Sequence, residues 1–125
     1  MKLLLDTHIL LWWLSEPSSL SKPARQAISN GSNFIYVSAA AIWEMVIKKS
    51  IGKLAIPENI EEVLQLNNFN FLPVTIAHAL VLDKLPVYHR DPFDRMLIAQ
   101  AAHEEMTLIS RDPQIKQYEI SQMLG

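Results

Sequence analysis

Leu3-Leu4-Leu5-Asp6-Thr7-His8-Ile9-Leu10-Leu11-Trp12-Trp13-Leu14 sets one carboxylate between two apolar runs. The three leucines show no polar alternation, as expected of a short strand buried on both faces of a sheet. From Thr7 to Ser15 the residues read as a helix, with Ile9, Trp12 and Trp13 on one stripe. Asp6 therefore stands where a strand passes into a helix. A charge buried at such a junction is costly unless it is paired or bound to a cation.

The alternation recurs along the chain. Ser21-Lys22-Pro23 starts a helix to about Ser29, with proline in its first turn, and Asn30-Gly31-Ser32-Asn33 stops it. Phe34-Ile35-Tyr36-Val37 has the aromatic and β-branched residues of a strand. Ser38 then caps a helix over Ala39 to about Ser50, which Gly52 ends. Pro57-Glu58 opens a helix through Leu66, Phe71–Val74 reads as a strand, and Thr75 caps a helix to about Leu85. Phe93–Glu105 is a further helix and Thr107–Ser110 a further strand, while the segment around Tyr118-Glu119-Ile120 carries no clear pattern. Strands alternating with helices predict an α/β fold of three layers, α/β/α, with a central parallel sheet of about four or five short strands.

At 125 residues, with no linker or repeat, the expectation is a single domain over 1–125. Half of the residues are hydrophobic, which predicts a packed core, and a net charge of −2 argues against a protein that coats nucleic acid through bulk positive charge. The absence of cysteine removes disulfides, thiolate zinc sites and cysteine nucleophiles. No small-residue cleavage site follows the opening apolar run, and no stretch has the ~18 uncharged apolar residues of a membrane span. These features predict a soluble, cytoplasmic protein with no membrane partner.

Ligand sites in parallel sheets form outside the carboxyl ends of the strands. Asp6 directly follows the first strand, and Ser110-Arg111-Asp112 follows the late one. Glu44 is the only charge between Val37 and Lys48, on a helix that starts at the end of the second strand. At ~1.5 Å per residue it lies about 9 Å along the axis from Ser38, on the same side of the molecule. A place on a solvated stripe is the alternative, weakened by the apolar residues around it. In His89-Arg90-Asp91-Pro92-Phe93-Asp94 both acids suit a helix N-terminus; Asp91 is expected to cap, and Asp94 to face the site. Clustered carboxylates repel, and a divalent cation relieves the repulsion. An all-oxygen set without cysteine suits Mg²⁺ or Mn²⁺ over zinc, and the chemistry implied is phosphodiester hydrolysis.

Four stretches together, LLLDTHILLWWL, VSAAAIWEMVIKKSIGKL, HRDPFDRMLIAQA and TLISRD, resemble a PIN domain of the VapC type, the toxins of VapBC toxin–antitoxin pairs. The resemblance covers nearly the whole chain. It implies an acidic triad of Asp6, Glu44 and Asp94, with Asp112 as a fourth acid, as catalytic and metal-binding residues. Thr7 and Asp91 support them. It further implies a Mg²⁺- or Mn²⁺-dependent endoribonuclease that leaves a 3′-hydroxyl and a 5′-phosphate. A homodimer is implied too, as is a VapB-type antitoxin whose C-terminal segment lies in the active-site groove. Ala41 stands where relatives often carry Ser or Thr, a departure that touches the polarity around the acids and not the acids themselves.

Lys48, Lys49 and Lys53 either hold an RNA backbone or complement the helix dipole. Arg95 and Arg111, beside the proposed ligands, favour contacts to phosphate or to an acidic antitoxin tail. The four histidines show no metal-ligand spacing with an acid, and the tryptophans read as core or as a dimer face. A receiver domain is disfavoured because the mid-chain strand ends Val37-Ser38, without a phosphoacceptor Asp. A haloacid-dehalogenase-like phosphatase needs Asp where His8 stands. A PIN module that only binds RNA or protein, and a PIN nuclease of RNA processing without an antitoxin, are the remaining alternatives. Retention of four acids counts against the first.

Overall fold

The computed structural model describes residues 1–125. β1 (Lys2–Leu5) runs into α1 (Thr7–Ser15), a 3-10 turn (Pro17–Ser19) and α2 (Lys22–Ser29). β2 (Phe34–Ser38) leads to α3 (Ala39–Ser50) and α4 (Ile60–Leu66), and β3 (Asn70–Leu72) to α5 (Ile76–Leu82) and α6 (Pro92–Glu104). β4 (Thr107–Ser110), a second 3-10 turn (Ile115–Gln117) and β5 (Gln122–Leu124) follow. The five strands form one parallel sheet in the order β3-β2-β1-β4-β5.

β1 occupies the centre, and its side chains alternate between two cores. Leu3 and Leu5 join Ile35, Val37 and Ile109 beneath α1 and α2, with Ile9, Leu10, Ala24 and Ile28 closing that side. Leu4 points the other way, to Leu108, Leu72 and the Leu97, Ile98 and Ala101 face of α6. All three leucines are fully buried. An unbroken apolar run is what a strand covered on both faces requires, and the three-layer expectation holds.

Boundaries shift from the sequence expectation where a local rule intervenes. α4 begins at Ile60 after a turn over 58–59, with Asn59 at its N-cap position. β3 ends at Leu72, because Pro73 has no N–H to extend the ladder beyond the Ser38–Leu72 pair. α5 ends at Leu82. Lys84 and Leu85 then donate to carbonyls three residues back, and Pro86 disfavours helix at the residue before it. β5 falls in the segment without a sequence pattern and exists by pairing with β4, Leu108 opposite Gln122 through Ser110 opposite Leu124.

The tryptophans take separate positions. Trp12 and Trp13 pack half-buried against the α1 side of the core, and Trp13 donates to Asn67 Oδ1 at 3.1 Å. Trp43 is 62% exposed and meets Phe93 edge-on. No helix is long and apolar enough to cross a membrane.

Because Leu4 is fully buried in the central strand, Leu4→Ala should destabilise the protein by about 2–5 kcal/mol. Phe34→Ala, on the same sheet but 60% exposed, should cost less than about 1 kcal/mol. Urea unfolding followed by far-UV circular dichroism measures both, and equal losses would contradict the two-sided burial of β1.

Candidate active site

With every strand parallel, Leu5, Ser38, Leu72, Ser110 and Leu124 end at one edge of the sheet. α1 and α3 start from that edge. α6 feeds β4 and so runs against the strands, which returns its first turn to the same edge. Four acids are carried there by separate elements.

Asp6 is held between β1 and β4, its backbone N–H donating to Ile109 O at 3.2 Å. It is also the N-cap of α1, with Oδ1 accepting from the Ile9 amide at 2.8 Å. Only 5% exposed, its carboxyl is pushed above its ordinary pKa by burial, against the pull of the Ser110 hydroxyl, the Ile9 amide and His8. Asp112 adds repulsion.

Asp91 caps α6, its Oδ1 accepting from the Phe93 and Asp94 amides at 2.9 and 3.0 Å. Asp94, one turn on, is pushed up to about 7, mainly by burial and then by repulsion from Asp91. His89 opposes the rise, while Asp6 and Glu44 add to it. Asp112 accepts from the Gln114 amide on Oδ1 at 2.8 Å. Its own amide donates to Ser110 Oγ at 3.1 Å.

Glu44 is buried on α3 with both oxygens engaged. Thr7 Oγ1 donates to Oε1 at 2.7 Å, and Lys48 Nζ lies 2.8 Å from Oε2. Lys48, read from sequence as part of an RNA rim or as a dipole partner, is thus the counter-charge of Glu44. Lys49 is exposed and pairs with no acid.

A cavity of about 350 Å³ is lined by Asp6, His8, Trp12, Asp94, Arg111 and Asp112. Glu44 does not line it, and reaches Asp94 only through its field. A larger cavity, about 470 Å³, lies among Val37, Ile42, Leu64, Phe71 and Leu72. It is apolar, and the chemistry belongs to the smaller one.

Two arginines that the sequence treats alike are divided by the structure. Arg111 lies over Trp12, 4.6 Å from the ring centroid. Its Nε and Nη2 donate to Gly125 O and Nη2 also to Ser19 O, which leaves Nη1 without a protein acceptor. Arg95 does not line the cavity. Its guanidinium serves the loop before α6, donating to Leu82 O (3.2 Å), Pro86 O (3.0 Å) and Tyr118 Oη (3.1 Å). These acceptors make the guanidinium a clamp on the loop, with Nε–H and one Nη2–H not engaged.

A correction to the sequence reading concerns His89, which spacing passes over. It is buried, with Nε2 2.9 Å from Asp94 Oδ2 and 2.9 Å from Asp112 Oδ2. The three ligand atoms lie within 4.8 Å of one another. His89 is near Asp91 and Asp94 in the chain, but 23 residues from Asp112, and no local period links those two.

The carboxylates of Asp6, Asp94 and Asp112 fit a divalent cation. They are oxygen donors on one cavity, two of them have pKa values raised first by burial and then by neighbouring carboxylates, and no thiol competes.

The PIN domain family matches residues 3–120. The chain is 28% identical over 120 residues to Ribonuclease VapC22 of Mycobacterium tuberculosis, across 92% of this chain and 90% of that protein. Among solved structures it is similar to a chain of VapBC2 from Rickettsia felis bound to a DNA fragment from their promoter. There the TM-score is 0.72 at 14% identity, over 98% of each chain. DNA-bound VapBC from Salmonella typhimurium gives 0.72 at 15% identity, over 98% of this chain and 97% of that one. At such identities the structural likeness speaks for the fold.

An acid whose pKa rises from 3.8 to about 7 on folding keeps its proton in the fold where the unfolded chain has lost it. Stability linked to Asp94 is therefore greatest below its unfolded pKa and declines as pH rises toward its folded value. Asp6 acts in the same direction. Metal-free Asp94→Asn should lose less thermal stability between pH 5 and pH 8 than the wild type, in melts recorded with chelator. Identical pH dependence in the two proteins would show that Asp94 is not ionising across that range.

Proposed function

This chain belongs to the PIN-domain family, and on that premise we propose that it is a metal-dependent endoribonuclease of the VapC type, the toxin of a VapBC-like pair. The convergence of Asp6, Asp94 and Asp112 on one cavity carries this reading, with Glu44 set behind them. Likeness to a ribonuclease VapC and to VapBC complexes supports the assignment.

In this reading residues 1–125 form a single catalytic domain. Asp6, Asp94 and Asp112 hold Mg²⁺ or Mn²⁺, and Glu44 contributes negative field while Thr7 and Lys48 fix its orientation. Held there, such a cation would supply charge neutralisation at the scissile phosphodiester and a lowered pKa of bound water, the chemistry needed for hydrolysis to a 3′-hydroxyl and a 5′-phosphate. The chain's own residues orient the substrate. Arg111 is held flat by Trp12 and by two carbonyls, and presents Nη1 at the cavity rim to a phosphate oxygen.

A VapB-type antitoxin follows as the partner, its C-terminal segment lying in the groove that holds the acids. The apolar cavity beside β3, together with Ile76 and Leu80 exposed one turn apart on α5, supports protein contacts, including a homodimer. The compartment we assign is the cytoplasm, where RNA is available.

Purified antitoxin-free protein should cleave single-stranded RNA with Mn²⁺ or Mg²⁺ and stop on addition of EDTA. Asp6→Asn and Asp94→Asn should each slow cleavage by about 10- to 100-fold or more, as disruption of a metal site does. Cleavage that survives EDTA, or wild-type rates in both variants, would overturn the assignment.

A further inference from the structure

His89 is fixed from every side before it meets the acids. Its backbone N–H donates to Tyr118 Oη at 3.0 Å, and the same hydroxyl accepts from Tyr88 N–H at 3.2 Å and from Arg95. Its ring nitrogen Nδ1 accepts from the Asp91 amide at 3.2 Å. A nitrogen that accepts carries a lone pair, so the proton of the neutral ring sits on Nε2. That single N–H faces Asp94 Oδ2 and Asp112 Oδ2, each 2.9 Å away.

The consequence lies on the opposite side of each carboxylate. Asp112 Oδ1 is taken by the Gln114 amide. Asp94 Oδ1 has no donor in the protein, yet it is not enclosed, since Gln100 Oε1 is the one buried side-chain polar atom without a partner. Asp94 and Asp6 line the same cavity.

We propose that His89 is a positioning residue for the acids: its Nε2–H draws the Oδ2 atoms of Asp94 and Asp112 together and leaves Asp94 Oδ1 to meet a cation beside Asp6. The proposal rests on the metal-dependent reading above. His89 is not itself a ligand. Ligation needs the Nε2 lone pair, which moves the proton to Nδ1, where it would face the Asp91 N–H donor to donor. A buried N–H thus does for two repelling carboxylates what outer hydrogen bonds do at metal sites generally, fixing donor orientation before the ion arrives.

Calorimetric titration of the full chain with Mn²⁺ and separately with Ni²⁺ tests this without reference to activity. His89→Leu removes the donor and should weaken both ions by about 10- to 100-fold. His89→Gln can place an amide N–H near the same point and should restore binding close to wild type. Circular dichroism confirms that each variant is folded, and if His89→Leu is not, His89→Gln decides. Wild-type Mn²⁺ affinity in folded His89→Leu would overturn the proposal, as would failure of folded His89→Gln to bind. A loss much larger for Ni²⁺ than for Mn²⁺ in both variants would show instead that the imidazole ligates, since nitrogen donors favour Ni²⁺. A wild-type protein that binds no Mn²⁺ would overturn the metal reading itself, a result distinct from equal binding by wild type and variant.

Discussion

Repulsion among carboxylates at the carboxyl edge of the sheet governs how this end of the molecule is built. The acids arrive on four elements, with Asp91 and Asp94 both at the start of α6, and each needs something to offset its charge. Asp6 has the α1 amide and Asp91 the α6 amides. Asp112 has the Gln114 amide, and Glu44 has Lys48 and Thr7. Asp94 has His89, and burial first, then the Asp91 charge, push it up to about 7. Helix N-termini and neutral N–H groups supply partial positive charge only. The deficit is concentrated where Asp6 and Asp94 share a cavity, and that makes the edge receptive to a cation.

Three cations, Lys48, Arg95 and Arg111, bear on the same end. Lys48 sits one helical turn from Glu44 and pairs with its Oε2 at 2.8 Å. Arg95 is one residue from Asp94 yet turns to the loop before α6, where Tyr118 and three carbonyls take its donors. That loop carries His89. Arg95 therefore acts on the acids at one remove, by holding the segment whose imidazole touches them. Arg111 alone keeps a free edge at the cavity, and its stack on Trp12 confines the guanidinium to one plane.

Much of the fold was legible because its signals are local. Three consecutive leucines specify a strand covered on both faces, and Ser38 and Thr75 specify the starts of α3 and α5 through hydroxyl caps. Proline marks the limits of β3 and α5, although reading those limits correctly needs the ladder and the turn as well as the residue. β5 was not legible. Gln122-Met123-Leu124 has no alternation of its own and becomes a strand by lying beside β4. The acids could be listed from sequence since each stands alone in an apolar setting. His89 could not be added to them, because the spacing of one histidine and two aspartates on different elements has no period.

What the sequence determined by itself is the alternation of strands and helices, the burial of β1, and the set of carboxylates that follow strand ends or open helices. Those are consequences of side-chain polarity and backbone preference within a few residues. Tertiary structure alone decided which polar groups meet across separate elements, whereas the Glu44–Lys48 pair lies one turn apart on a single helix. The tertiary fold gave Glu44 to the Thr7 hydroxyl, Arg95 to a loop, and the imidazole N–H of His89 to Asp94 and Asp112 together. The physical reason is range: a cap or a turn is settled by neighbours in the chain, whereas an electrostatic contact depends on a distance of a few ångströms that only the packed sheet and its helices can set.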